Sequence, residues 1–144
     1  MTERNIALER ARQEIDEIDT AIHDLILRRT EVVAEVGRAK GGTSTANFAP
    51  GREGRVIRRR MAHHKGPFPH IAISRIWREL ISVYAALQGP YAVAAYADGD
   101  DQGCWDLARD QFGCHDKMAT QTSIRGVIAQ VFNREAAIGA GPLP

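Results

Sequence analysis

Apolar side chains recur in steps of three and four over the first forty positions, at Leu8, Ala11, Ile15, Ile18, Ile22, Leu25, Val32, Val36 and Ala39. That period places them on one face of an α-helix. The spacing predicts one long helix, capped near Asn5 and ended by Gly41-Gly42, of about 35 residues and roughly 50 Å. A second helix is expected from Pro50 to His64, with proline at its start and Val56, Ile57 and Met61 on one side. After the turn Lys65-Gly66-Pro67, the positions Ile73, Ile76, Trp77, Leu80, Tyr84 and Leu87 repeat the same steps until Gly89-Pro90 ends the third helix.

Beyond Pro90 the pattern changes to short segments. Tyr91 to Ala97 reads as a strand, Gly103 to Phe112 as a helix, Met118 to Thr122 as a strand, Ser123 to Asn133 as a helix and Ala136 to Ala140 as a strand. Parallel sheets built this way usually carry more strands, so the run ending at Gly141-Pro-Leu-Pro144 is read as the first part of a longer α/β domain. The fold class is therefore mainly α over residues 1–90, followed by a short, incomplete α/β segment over 91–144.

Composition narrows the function classes. With 144 residues, 44% of them hydrophobic and 26% charged, the chain is an ordinary globular one, not a disordered or collagen-like one. No stretch approaches the roughly 20 apolar residues of a membrane span, and MTERNIALER lacks the apolar centre of a signal peptide, so a cytoplasmic location is expected. Cys104 and Cys114 fit neither a disulfide framework nor a zinc pattern and are read as reduced structural thiols. Residues 1–90 hold 15 Lys+Arg against 11 Asp+Glu, a net of +4, while 91–144 hold 4 against 7, a net of −3. The basic part suggests an anionic ligand, yet no continuous basic stripe speaks for nucleic acid. Arg58, Arg59 and Arg60 point in three directions on a helix and are read as a solvated face.

Several charges fall where apolar residues belong. The slot between Leu25 and Val32 is Arg29, and Lys40, eleven residues on, returns to within about 20° of it on the helix. A buried charge costs several kcal/mol unless paired, and neither has an acid at i±4 on that stripe, so a bound anion would supply the partner. A snorkelling Arg29 and a Lys40 favoured by the helix C-terminus is the alternative. Gln88 on the third helix and Glu53 on the second also continue apolar lines. Arg12 lies seventeen residues before Arg29, about 25 Å along one helix, so the two cannot hold one small ligand. In an antiparallel homodimer Arg12 of one chain can approach Arg29 of the other, giving two equivalent sites and covering the long apolar stripe.

Arg12 with Ile15, Ile18 and Asp19, then Leu25, Arg28-Arg29, Val36-Gly37-Arg38-Ala39-Lys40, Pro50-Gly51-Arg52-Glu53, and Ile76-Trp77-Arg78-Glu79-Leu80-Ile81 with Gln88, resemble the all-helical chorismate mutase family over residues 5 to 90. The resemblance implies an intertwined homodimer that converts chorismate to prephenate without metal or cofactor. It implies that Arg12 of one subunit and Arg29 of the other bind the substrate carboxylates. Lys40 and Gln88 would donate to the ether oxygen, Glu53 would hold the ring hydroxyl, and Arg52 would lie beside them. Ala49 stands where relatives can carry aspartate, and Tyr84, facing the substrate, where a small or hydroxyl residue is common.

Residues 91–144 resemble the opening of a prephenate dehydratase domain through the first strand, Ala108-Arg109-Asp110-Gln111-Phe112-Gly113 and Ala136-Ala137-Ile138-Gly139. Asp98-Gly99-Asp100-Asp101-Gln102-Gly103 replaces that family's Gly-Pro-Glu-Gly-Thr, and its Thr-Arg-Phe motif lies beyond Pro144, so no dehydratase activity is expected. Two other readings stay open: an isochorismate pyruvate lyase on the same fold, and a non-catalytic dimerisation or effector-sensing module. His63-His64 with His70 share their spacing with no carboxylate or cysteine, so no metal site is expected.

Overall fold

The computed structural model describes residues 3–40, 49–89, 92–99, 102–114 and 117–142. Its elements run α1 (Glu3–Ala39), α2 (Pro50–His63), α3 (His70–Gln88), β1 (Ala92–Tyr96), α4 (Gly103–Phe112), β2 (Lys117–Gln121), α5 (Ile124–Phe132) and β3 (Ile138–Ala140). α1 stands as one compact unit and the elements from α2 onward as another.

α1 has 37 residues, about 55 Å at 1.5 Å per residue. It starts two residues before Asn5, which therefore lies inside the first turn and is not the cap. Glu3 in that turn and Arg38 in the last place charges of the favourable sign at the two ends of the helix dipole. The expected stop at Gly41-Gly42 lies outside the described residues. No α1 residue is buried, and its stripe stays open, with Leu25 66% exposed.

In the second unit, α2 opens at Pro50, where the missing N–H has no helical partner to lose, and the amides of Arg52 and Glu53 donate to the Ala49 carbonyl at 2.9 and 3.0 Å. α2 packs on α3, and α3 in turn packs on α4. The three strands are parallel in the order β2-β1-β3, with Ala94 opposite Ala119 on one side and Gly139 on the other. β1 is the centre of this unit: Val93, Ala94 and Ala95 are fully buried. Its alternating side chains serve two cores. Val93 and Ala95 join Ala85 of α3 and Ala108 of α4, whereas Ala94 joins Val127 of α5 and Ala136. At Gly139 a Cβ would stand 2.8 Å from Val127 Cγ1, so the missing side chain sets how closely α5 lies on the sheet. Ser123 caps α5, its hydroxyl accepting the Gly126 amide at 3.0 Å.

Candidate functional site

α2 and α3 bring the half-buried Glu53 to a cavity of about 210 Å³, which Ile81 and Ser82 of α3 and Phe112 of α4 also line. Arg52, one residue earlier, is exposed. The adjacent turn positions on a helix diverge by 100°, so only one of the pair can face inward.

Tyr84 and Gln88 are joined on α3. The Gln88 Nε2 donates to the Tyr84 carbonyl at 3.0 Å, and Tyr84 is 4% exposed. The Gln88 Oε1 is buried with no hydrogen-bond partner among the described residues. An amide carries two N–H donors, so one more remains beyond the bond to Tyr84. A buried polar atom without a protein partner is a place where a ligand or water is expected.

The cationic positions of α1 differ from one another. Arg12 is ion-paired to Glu9 at 2.7 Å, three residues away, with both side chains 63% exposed. Such an exposed pair is worth at most about 1 kcal/mol and yields easily to a stronger anion. Arg29 is half-buried, and Lys40, just past the helix end, is exposed. Seventeen residues of helix separate Arg12 from Arg29, so a single α1 cannot bring them together.

Some chemistry escaped the sequence reading. Ser82, 4% exposed, is the buried polar residue of this region, and Arg78, one helical turn earlier, donates to Gln111 Oε1 across to α4. The four-residue step between Arg78 and Ser82 is the signal that places them on one face. The arginine run of α2 is also more than a solvated face: Arg60 lies over the Trp77 ring at 5.0 Å, and Arg58 lines the cavity. The histidines spend their nitrogens locally. His63 Nδ1 lies 2.8 Å from the Arg59 carbonyl and His64 Nε2 2.6 Å from that of Phe68, while the His64 and His70 rings meet edge-on. Among the described residues no three His, Cys, Asp or Glu side chains are placed to hold a metal ion.

Both cysteines are free thiols; Cys114 sits at the α3–α4 junction. There the Glu79 carboxylate accepts its backbone N–H at 3.0 Å and lies 3.1 Å from its sulfur, and the hydrogen bond with that anion pushes the thiol pKa above its ordinary value. No helix among the described residues is long and apolar enough to cross a membrane.

A long helix with an apolar stripe is followed by two shorter ones, with the carboxylate of Glu53 on the second and the amide of Gln88 at the end of the third, the element order of an all-helical protomer. Residues 11–89 match the family chorismate mutase type II, and the chain belongs to that family. All seven predicted site residues fall inside the matched span.

Among its relatives are bifunctional chorismate mutase/prephenate dehydratases. That of Neisseria gonorrhoeae is 35% identical over 83 residues, covering 58% of this chain and 22% of the relative. Those of Pseudomonas aeruginosa and Aquifex aeolicus are 30% identical over 138 residues and 28% over 140, covering 92% and 94% of this chain but 36% and 38% of theirs. The chain thus spans between about a fifth and two fifths of the length of these curated relatives.

Proposed function

We propose that this chain is a chorismate mutase that acts in the cytoplasm as a homodimer with two sites shared between subunits. The observation that carries the reading is the family match over residues 11–89, which contains Arg12, Arg29, Lys40, Arg52, Glu53, Tyr84 and Gln88 together. The open stripe of α1, a 37-residue helix with no buried residue, supports the dimer. So does the separation of Arg12 from Arg29, which two antiparallel copies resolve.

Chorismate is a dianion with an enol ether. Its [3,3] rearrangement breaks one C–O bond and forms one C–C bond within the same molecule, with no proton transferred. Acid or base groups are therefore unnecessary. The protein's task is to hold the flexible substrate in its reactive chair and to aim donors at the oxygen that gains negative charge. Arg12 and Arg29 serve the first task, because a planar guanidinium fixes a carboxylate in its own plane. Glu53 takes the ring hydroxyl, with Arg52 beside it. Lys40 and the free N–H of Gln88 serve the second. Two such donors at a few kcal/mol each, with positioning, reach the roughly 8 kcal/mol of a 10⁶-fold acceleration.

The test is an assay of chorismate and, separately, isochorismate consumption with identification of the product. Prephenate from chorismate is the expected result. Pyruvate release from isochorismate alone would assign the lyase reaction instead, and no turnover by the folded protein would leave a non-catalytic module.

A further inference from the structure

The cavity walled by α2, α3 and α4 holds groups that the proposed reaction does not use. At about 210 Å³ it is smaller than the roughly 300–1,000 Å³ of pockets that take drug-sized ligands, a size that suits a small molecule. Two guanidiniums line it, Arg58 from α2 and Arg78 from α3. Neither belongs to the ion pairs Arg12–Glu9 and Arg75–Asp110. Arg78 gives a hydrogen bond to Gln111 and has further N–H donors out of its five. Arg58 lies back along its own helix: a Cβ on Gly54 would stand 3.2 Å from its Nη1, so the glycine makes room for the head group there. Two guanidiniums against one carboxyl group make cationic side chains the more numerous in the lining. The rest is largely apolar, from Ile57, Ile81 and Phe112.

We propose that this cavity binds a small organic monocarboxylate with an apolar body, its carboxylate on Arg58 and Arg78 and its body on Ile57, Ile81 and Phe112. The two guanidiniums suit a single carboxylate, and the apolar walls favour a hydrocarbon portion over an inorganic ion. The site draws on both parts of the chain, since α2 and α3 belong to the mutase span and Phe112 to α4. It shares Glu53 with the proposed mutase site, while its two guanidiniums, Arg58 and Arg78, have no role in that reaction.

Isothermal titration of the full chain with 3-phenylpropanoate, and with its neutral amide, tests this. One acid molecule per chain should bind, about ten-fold or more tighter than the amide. Arg78→Gln should weaken the acid by about the same factor, and Arg29→Ala should leave it within about two-fold. Gly54→Leu fills the cavity without changing a charge and should also abolish binding; it decides the matter if Arg78→Gln does not fold. Equal binding of acid and amide, undiminished binding to Gly54→Leu, or no heat at millimolar probe would overturn the proposal. Loss of binding in Arg29→Ala would do so too, by placing the probe on the α1 cations. The chorismate assay reads the mutase activity separately, so failure of one proposal does not imply failure of the other.

Discussion

Glu79 of α3 grips Cys114, thirty-five residues further along the chain, by two atoms at once: its carboxylate accepts the Cys114 backbone N–H at 3.0 Å and the thiol at 3.1 Å. The flanking pairs Arg75–Asp110, at 3.0 Å, and Arg78–Gln111 make the end of α4 a row of polar ties to α3.

The thiol's raised pKa gives the first prediction. Its hydrogen bond to Glu79 and the repulsion from that carboxylate both favour the protonated form, so alkylation of Cys114 by iodoacetamide should rise with pH at a midpoint above that of an ordinary thiol. Glu79→Gln keeps an acceptor but removes the charge and should lower that midpoint. The sign for stability follows. With the folded pKa above the unfolded one, the contribution is complete below the unfolded thiol pKa and is lost as pH climbs through the folded value. Identical alkylation profiles for the two proteins would break the link.

Gly113 follows α4 at φ 86°, and a Cβ there would stand 2.9 Å from the Glu79 carboxylate and 3.0 Å from Ser82. Gly113→Ala should therefore destabilise the protein by about 1–3 kcal/mol, read as a lower denaturant midpoint at unchanged slope.

Lys40→Ala should lose about 10² or more in kcat while its unfolding midpoint stays within about 0.5 kcal/mol of the parent, because the exposed Lys40 is assigned to the substrate. Activity within about three-fold of the parent, or an unfolded variant, would remove it from the ether site.

Gln88→Glu should be active only at lower pH. The carboxyl can donate to the ether oxygen only when protonated, and its ionised form would repel the negative charge that develops there. A pH profile matching that of the parent would assign Gln88 to another task.

Two inactive variants should complement each other. In the proposed dimer with shared sites, Arg12→Ala and Arg29→Ala homodimers would each lack one clamp in both sites, whereas a mixed dimer would rebuild one complete site and leave its twin doubly defective. Co-refolding equal amounts makes about half the dimers mixed and should restore roughly a quarter of parental sites. Mixed dimers that co-purify through different tags yet remain inactive would show that the two arginines do not meet across an interface.

The helices were legible because periodicity is a property of one segment. α4 has the bounds expected from its flanking glycines, and Ser123 moves from the expected first residue of α5 to its cap. Asn5 misled because a good capping residue has no force when the helix can extend back through Glu3. Relationships between segments were less legible. Nothing in the spacing of Glu79 announces Cys114, and a lone serine at position 82 does not announce burial until Phe112 and Gly113 arrive beside it. The candidate site shows the same division. Glu53 could be picked out because a carboxylate interrupts an apolar line, but the cavity it shares with α4 depends on a contact that no single helix encodes.

The strand order β2-β1-β3 has a consequence for synthesis on the ribosome. β1 leaves first and ends at Tyr96, but its earlier partner begins only at Lys117. At about 5–20 residues per second, Val93, Ala94 and Ala95 wait on the order of one to four seconds before any neighbouring strand exists to cover their backbone. Alanine at two of those three places keeps the nascent strand weakly adhesive, which lowers the hazard of pairing with another chain during that interval.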